Sequence, residues 1–507
     1  INIKVVAQFC KLLYMLYAHY KLPIQEFPTI HQIKSPKSEL KFQIIVYSYL
    51  PRGLIFLSNY LCQLITNKKK EIYEEFIINN KIIEKKIDVA NKISRMNKVF
   101  LSSAIKLDIP ILRITDEIFQ YGWGKHGFHL GSTFSEKTPR NSVIIVRNKF
   151  ITNQILKRAG FPIVDETIIK DEKDCKKFIE KFNFPVVIKP ADKDAGVGVT
   201  ANITNYKELN KAIKICSKIS KNMLIQRYVK ESHFRMTIVN GKLVWTFLKK
   251  LASIVGDGKS PVSLLIKKEN ATRKRMYPSS ISNIHSINVN EKTLSTLKKQ
   301  GLTINSIPKN NQIIKLAEET NSIAGATPFV ISNNEVHPDN KLLMERAANL
   351  FRLDITGIDF FITDIRKSWL ETNSQILEIN ACPDLNPTGP HIYDLILKQS
   401  VKGDGRLSSA LVMTDNHKAI DFRKLIEFCN NNNKKVGIFT NDEVKINDEI
   451  IQKRVKDYSQ RIDILLMEKS IDFLVVVVEN NINSFKYGLP IDKFDCICVD
   501  SFIPAIE

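Results

Sequence analysis

Residues 186–199 read VVIKPADKDAGVGV: an apolar run ending on Lys189 and Pro190, then a polar loop with Gly196 and Gly198 one residue apart. The apolar half has the composition of a buried strand. Two glycines let backbone approach a ligand with no Cβ in the way. A lone G-x-G suits a phosphate-covering loop and an ordinary hairpin corner equally, so the decision rests on the surrounding sequence.

Working outward, SVIIVRN reads as a strand, KFITNQILKRAG as a helix closed by Gly160, and FPIVDETII as another strand. DEKDCKKFIEKF and NYKELNKAIKICSKI read as helices, with NMLIQRYV as a strand after them. HFRMTIVNGKLVWTFLKK reads as a hairpin turning at Asn240-Gly241. Farther on come the helix NKLLMERAANLFRL and the strands TGIDFFITDI and SQILEINAC. Beyond Gly403 the runs SSALVMT, KKVGIFT and DFLVVVVEN suit a parallel sheet covered on both faces. The fold class is therefore α/β, in three units.

A site that transfers phosphate from a nucleoside triphosphate needs cations, backbone amides on a flexible loop, and oxygen ligands for Mg²⁺. Lys149 opens a helix and Lys189 ends a strand just before the glycine loop. The strand LIQRYV offers its backbone to an adenine edge, with Gln226 as a side-chain partner. Arg235, Lys249 and Lys250 add positive charge on neighbouring strands. Asp359 lies within the apolar TGIDFF, and Glu378 and Asn380 stand two apart in ILEINACP, so both point to one face of a strand. A buried carboxylate is costly unless paired or bound to metal. Any one of these acids alone reads as a salt-bridged strand residue. Asp, then Glu-x-Asn, following two lysines and a glycine loop, reads as a Mg²⁺ site.

That order resembles the ATP-grasp superfamily of carboxylate–amine ligases, and more closely the cyanophycin synthetase family. GWGKHGFHLGSTFSEKTPRNSV, KRAGFPIVDETI, VIKPADKDAGVGV, IVGDGKSPVSLLI, QGLTINSIP and ILEINACP resemble blocks of that family in family order, from about Phe119 to Pro390. The resemblance implies an ATP-grasp core of α+β type using ATP and Mg²⁺. The γ-phosphoryl passes to a substrate carboxylate, and an amine then attacks the acyl phosphate to give an amide. It matches Lys149 and Lys189 to phosphate-binding lysines and Gly196 and Gly198 to the lid loop. Gln226, Arg227, Tyr228 and Val229 match the adenine-binding hinge, and Asp359, Glu378 and Asn380 the metal ligands. Arg235 matches an arginine that stabilises phosphoryl oxygens, with Lys249 or Lys250 at the γ-phosphate. The chain departs from the pattern at four places. Gln226 replaces a glutamate. His233 stands where an acid near the ribose is expected, with Glu231 as a substitute. Val197 and Asp384 occupy positions of a basic residue and a glycine.

The resemblance divides the chain into an N-terminal α/β domain (1–120), an ATP-grasp domain (121–400, lid about 161–225) and a truncated Mur-ligase-like domain (401–507). In the last, VMTDNHKAI stands where a G-T-N-G-K-T phosphate loop is expected. Thr414 and His417 hold glycine positions and Ala419 replaces the Mg²⁺ ligand, so no second catalytic centre is expected. The expected partners are amino acids or short peptides, including an acidic peptide or polymer, in a cytoplasmic homo-oligomer. The alternative is a catalytically degenerate ATP-binding or scaffolding protein of the same fold.

Composition sets the remaining bounds. The chain has 507 residues, 44% hydrophobic and 25% charged, as an ordinary globular protein does. The apolar stretch at 42–65 is interrupted by Pro51 and Arg52, so no membrane span is expected. The net charge of +22 is spread over a Lys-, Ile- and Asn-rich chain without a basic-aromatic motif, so no nucleic-acid partner is expected. Eight cysteines without a C-x-x-C pair fit free thiols in a reducing compartment. Cys382 reads as a small buried thiol, and His126 and His129 as loop residues, not a metal pair. The apolar spacing across residues 67–107 suggests helices.

Overall fold

Pro139 opens a helix where the sequence suggests a strand: SVIIVRN lies in α1 (Arg140–Arg147) of the computed structural model. Four-residue spacing buries Ser142 and Val146 on one face, and this packing overrides the strand preference of the Val-Ile run. The structure describes residues 7–13, 15, 29–34, 40–45 and 93–499, apart from 194–195, 277–285, 321–323, 386–389, 441, 454–457, 480–488 and 490. Two compact units form, one from Thr133–Ile392 and the other from Ile1–Ser132 with Tyr393–Glu507.

The first unit is built on two sheets. After α1 come α2 (Lys149–Arg158), β1 (Glu166–Ile169), α3 (Glu172–Phe182), β2 (Val186–Pro190), β3 (Thr200–Ile203), α4 (Tyr206–Ser217) and β4 (Met223–Arg227). The strands form an antiparallel sheet in the order β1-β4-β2-β3. Its outer face buries Ile169, Val186, Ile188, Ile203 and Ile225 against Phe178, Ile179, Leu209 and Ala212 of α3 and α4. Asp171 and Asp174 close a capping box at the start of α3.

The second sheet follows: β5 (Ser232–Val239), β6 (Lys242–Lys250), β7 (Thr327–Ile331), α5 (Pro338–Leu350), β8 (Ile355–Ile362) and β9 (Ser374–Asn380). Its antiparallel order is β7-β6-β5-β8-β9. Asn240 and Gly241 both take positive φ in the hairpin turn between β5 and β6, as the Asn-Gly signal requires. One face buries Phe234, Met236, Ile358, Phe360 and Ile376 against Leu156 of α2 and Leu343, Met344 and Ala347 of α5. The period-2 alternation turns Arg235, Asp359 and Phe361 to the other face.

In the other unit a helix covers Arg95–Lys106, capped by Ser94, as read, and a strand covers Ile111–Arg113. The suggested helices at 67–92 lie outside the described residues. A six-stranded sheet contains β10 (Ser408–Thr414), β11 (Val436–Phe439), β12 (Glu443–Ile446), β13 (Glu449–Lys453), β14 (Phe473–Glu479) and β15 (Cys496–Val499). β10, β11, β14 and β15 pair in parallel, whereas β12 and β13 form an antiparallel margin. Val475 and Val477 pack to one side of β14, Val476 and Val478 to the other, which is why the run is continuously apolar. Gly124–His126 form a short turn, and His129 bonds Gln120 at 3.0 Å, so the two histidines share no helix face. Among the described residues no helix is long and apolar enough to cross a membrane.

Phe360 is wholly buried in the centre of β8. Phe360→Ala is expected to destabilise its unit by about 3–5 kcal/mol, read as a lower urea midpoint with unchanged secondary structure in water. A midpoint equal to that of the wild type would contradict this packing.

Candidate functional site

Strand register assembles the polar face of the second sheet. Arg235 on β5 pairs with Asp359 on β8, and Asp359 pairs with Glu378 on β9. Directly paired residues share a face. Asp359 is 1% exposed. Arg235 donates from Nε at 2.6 Å and Nη2 at 3.1 Å to its two oxygens, and Lys249 Nζ donates at 2.9 Å. Burial alone pushes this carboxyl up, but Arg235 and Lys249 together hold it well below the usual carboxylate range. Gly357 permits the grip, because a Cβ there would lie 2.7 Å from Arg235 Nη1 and 2.8 Å from Pro383 Cβ.

His233 shares this face. Its Nδ1 contacts Thr320 Oγ1, and its Nε2 lies 3.4 Å from Asp359 Oδ1. Burial, reinforced by Lys249, pushes the imidazole down to about 4, so it is neutral at pH 7. On β9 a bulge follows the Asp359 pairing: Phe360 pairs with Ile376, leaving Leu377 as the extra residue. Glu378 and Asn380 keep a common face, with Asn380 Nδ2 donating to Glu378 Oε1 at 3.2 Å.

The first sheet supplies the opposite wall. Lys189 Nζ lies 3.3 Å from Glu166 Oε2, and Gln226 Nε2 donates to the same oxygen at 2.9 Å. Lys149 Nζ donates to the Lys193 carbonyl at 2.6 Å and lies 3.9 Å from Glu378 Oε2. Gly196 and Gly198 both have φ of +74°, the left-handed conformation that glycine adopts without strain.

A cavity of about 990 Å³ collects these groups. Lys149, Lys189, Gly196, Gln226, Arg227, Tyr228, Val229, His233, Arg235, Lys249, Asp359, Glu378 and Asn380 all line it. Glu231 and Asp384 line it as well. Gly198 and Lys250 are not brought in. Gly198 packs on Pro190, and the exposed Lys250 sets its ammonium 3.8 Å from the Phe329 ring centroid. Cys382 lines the wall with Sγ 3.1 Å from Thr133 Oγ1. Sequence reading missed Glu166 and Thr320. The first looked like a polar residue at a strand start, and the second lies in a loop with no motif of its own.

Two carboxylates and an amide form an all-oxygen donor set, which fits Mg²⁺ because that ion leaves most of its shell to water and phosphate. Among the described residues no three His, Cys, Asp or Glu side chains gather as a metal centre. In the other unit, His417 follows β10, contacts Glu479 through Nδ1 and lies 3.0 Å from Asp442 through Nε2. Side chains therefore pack together where a phosphate loop would need glycines.

Comparison with known proteins follows the same lines. A RimK-like ATP-grasp domain matches residues 146–258. Cyanophycin synthetase of Synechocystis sp. is 28% identical over 391 residues, covering 74% of this chain and 44% of its own. That of Nostoc sp. is 26% identical over 393 residues, covering 75% and 43%. The glutathione biosynthesis bifunctional protein GshAB of Clostridium perfringens is 26% identical over 261 residues, 49% of this chain and 32% of its own. Among solved structures, a bifunctional glutathione synthetase from Pasteurella multocida has 18% identity and a TM-score of 0.45, covering 69% of this chain and 52% of its own. The chain spans less than half the length of the cyanophycin synthetases it matches. The chain is thus similar to RimK-like ATP-grasp proteins over residues 146–258 and distantly similar to the cyanophycin synthetases over most of its length.

The folded chain protonates His233 near pH 4, against 6.5 for the ordinary group. Between those values the unfolded chain binds more protons, so stability rises with pH and is lost as pH falls from about 6.5 toward 4. The melting midpoint of the metal-free protein in chelator should fall between pH 7 and 5, and His233→Gln should flatten that fall. Equal slopes would contradict the burial of a neutral imidazole.

Proposed function

We propose that this chain is an ATP-dependent carboxylate–amine ligase that forms an amide or peptide bond through an acyl phosphate. The observation that carries the reading is one cavity in which Lys149, Lys189, Arg235 and Lys249 stand with Asp359, Glu378 and Asn380. Cations for phosphate and oxygens for Mg²⁺ are the two requirements of phosphoryl transfer.

In this reading Lys149 and Lys189 hold phosphate oxygens and the Gly196 loop covers them. Asp359, Glu378 and Asn380 would hold Mg²⁺, which neutralises phosphate charge when bound. Arg235 and Lys249 exchange part of their hold on Asp359 for phosphoryl oxygens, an electrostatic role that stabilises the charge developing in the transfer. The substrate carboxylate takes the γ-phosphoryl, releasing ADP; the amine then displaces phosphate and gives up a proton. Gly198 contributes by shaping the lid, and Lys250 lies outside the chemistry.

The same proposal keeps residues 121–400 as the catalytic part, with its lid at about 161–225. Residues 1–120 are an N-terminal domain and 401–507 a Mur-ligase-like remnant without activity, the two falling in one compact unit. The His417 contacts with Glu479 and Asp442 support the inactivity of the remnant. A second reading, ATP binding without turnover, draws on the tight engagement of Asp359 by Arg235 and Lys249.

Purified protein with Mg-ATP should release ADP only when a matching carboxylate and amine are both present. The screen is over amino acids and short peptides, with product mass as the second readout. Asn380→Ala should lower turnover on the order of 10–100-fold without loss of fold. Bound ATP with no ADP across the screen would favour the second reading, and full turnover in Asn380→Ala would remove the metal assignment.

A further inference from the structure

Gln226 and Glu166 occupy paired positions on β4 and β1, and Val187 on β2 completes the row. Paired residues share a face. Ile225, next along β4, faces α3 and α4, so Gln226, Glu166 and Val187 face the other way, and Gln226 lines the cavity. The Glu166 side chain is 1% exposed. Its Oε2 receives Lys189 and Gln226, and its Oε1 is buried with no hydrogen-bond partner among the described residues. None of the chemistry above uses this carboxylate.

A carboxylate facing a lysine ammonium, as Glu166 faces Lys189, serves as a hydrogen-bond acceptor. The Gln226 amide must therefore turn its NH₂ toward Glu166, because its own carbonyl oxygen would repel the carboxylate. That fixes the amide orientation by chemistry and leaves Gln226 Oε1 as the acceptor. An acceptor at the nucleobase suits a ring with an exocyclic amine and disfavours one with a carbonyl at the same place. Lys189 completes the arrangement by offsetting the charge of Glu166 without competing for the amide.

We propose that Glu166 is a positioning residue for nucleobase selection: it locks the Gln226 amide so that the site prefers a 6-amino over a 6-oxo purine triphosphate. The inference rests on the nucleotide reading above. Glu166 acts through Gln226 and does not touch the reacting atoms. In Glu166→Gln the partner is an amide that can donate or accept, so Gln226 can turn either way and present oxygen or nitrogen.

The test compares binding of ATP and inosine triphosphate, which differ at position 6, by calorimetry with Mg²⁺ present. The full chain should prefer ATP on the order of 10-fold, and Glu166→Gln should bring the two affinities within about 3-fold. The exchange Glu166→Gln with Gln226→Glu should restore the preference, since the amide now donates from position 166 to a carboxylate at 226. A purely structural role for Glu166, through Lys189 and the phosphates, would weaken both nucleotides equally and leave their ratio unchanged. ATP binding with an unchanged ratio in Glu166→Gln, or no restoration in the exchanged protein, overturns this inference and leaves the ATP reading standing. Failure of the unaltered chain to bind either nucleotide overturns both.

Discussion

Asp359 cannot remain charged in the centre of a sheet without Arg235 and Lys249. Removing one partner from a buried ion pair costs about 3–5 kcal/mol, enough to matter against the modest net stability of a domain. The sheet order follows this requirement. Lys249, Arg235, Asp359 and Glu378 lie on four consecutive strands, β6, β5, β8 and β9, so two neighbouring cations stand beside two neighbouring carboxylates. Gly357 supplies the space that the guanidinium needs. A charged row of this kind is expensive to bury, and its place in a cavity wall gives it a use beyond stability.

The two sheets of this unit solve the same problem in parallel ways. Each buries an apolar face under helices and turns a carboxylate with its cations toward the cavity. In the second sheet the carboxylate is Asp359, with Arg235 and Lys249; in the first it is Glu166, with Lys189 and the Gln226 amide. In the function proposed above, the first group would hold metal and phosphoryl oxygens, and the second would fix which atom of an amide meets the base. Ligand charge and ligand identity would then fall to separate sheets, each with its own core.

Much of this was legible in the sequence because it depends on short-range periodicity. Glu378 and Asn380 share a face at period two, Asn240-Gly241 makes the turn, and the Val run of β14 is buried on both sides. SVIIVRN misled because a short β-branched run satisfies a strand and one buried helix face equally well, and packing decided between them. The Gln226–Glu166 pair joins residues 60 apart, and the Arg235–Asp359 pair residues 124 apart. Such pairs are set by strand register, which a single chain does not spell out. The bulge at Leu377 escaped for the same reason. The motif residues were visible singly; their partners were not.

If Asp359 is neutralised by its own cations, a metal should find the site only after phosphates have drawn those cations away. Water-proton relaxation with Mn²⁺ in place of Mg²⁺ tests this directly, because protein-bound Mn²⁺ enhances relaxation. The account predicts little enhancement from protein and Mn²⁺ alone, strong enhancement once a non-hydrolysable ATP analogue is added, and its loss in Asp359→Asn. Strong enhancement without nucleotide, or enhancement with nucleotide that survives Asp359→Asn, would contradict it.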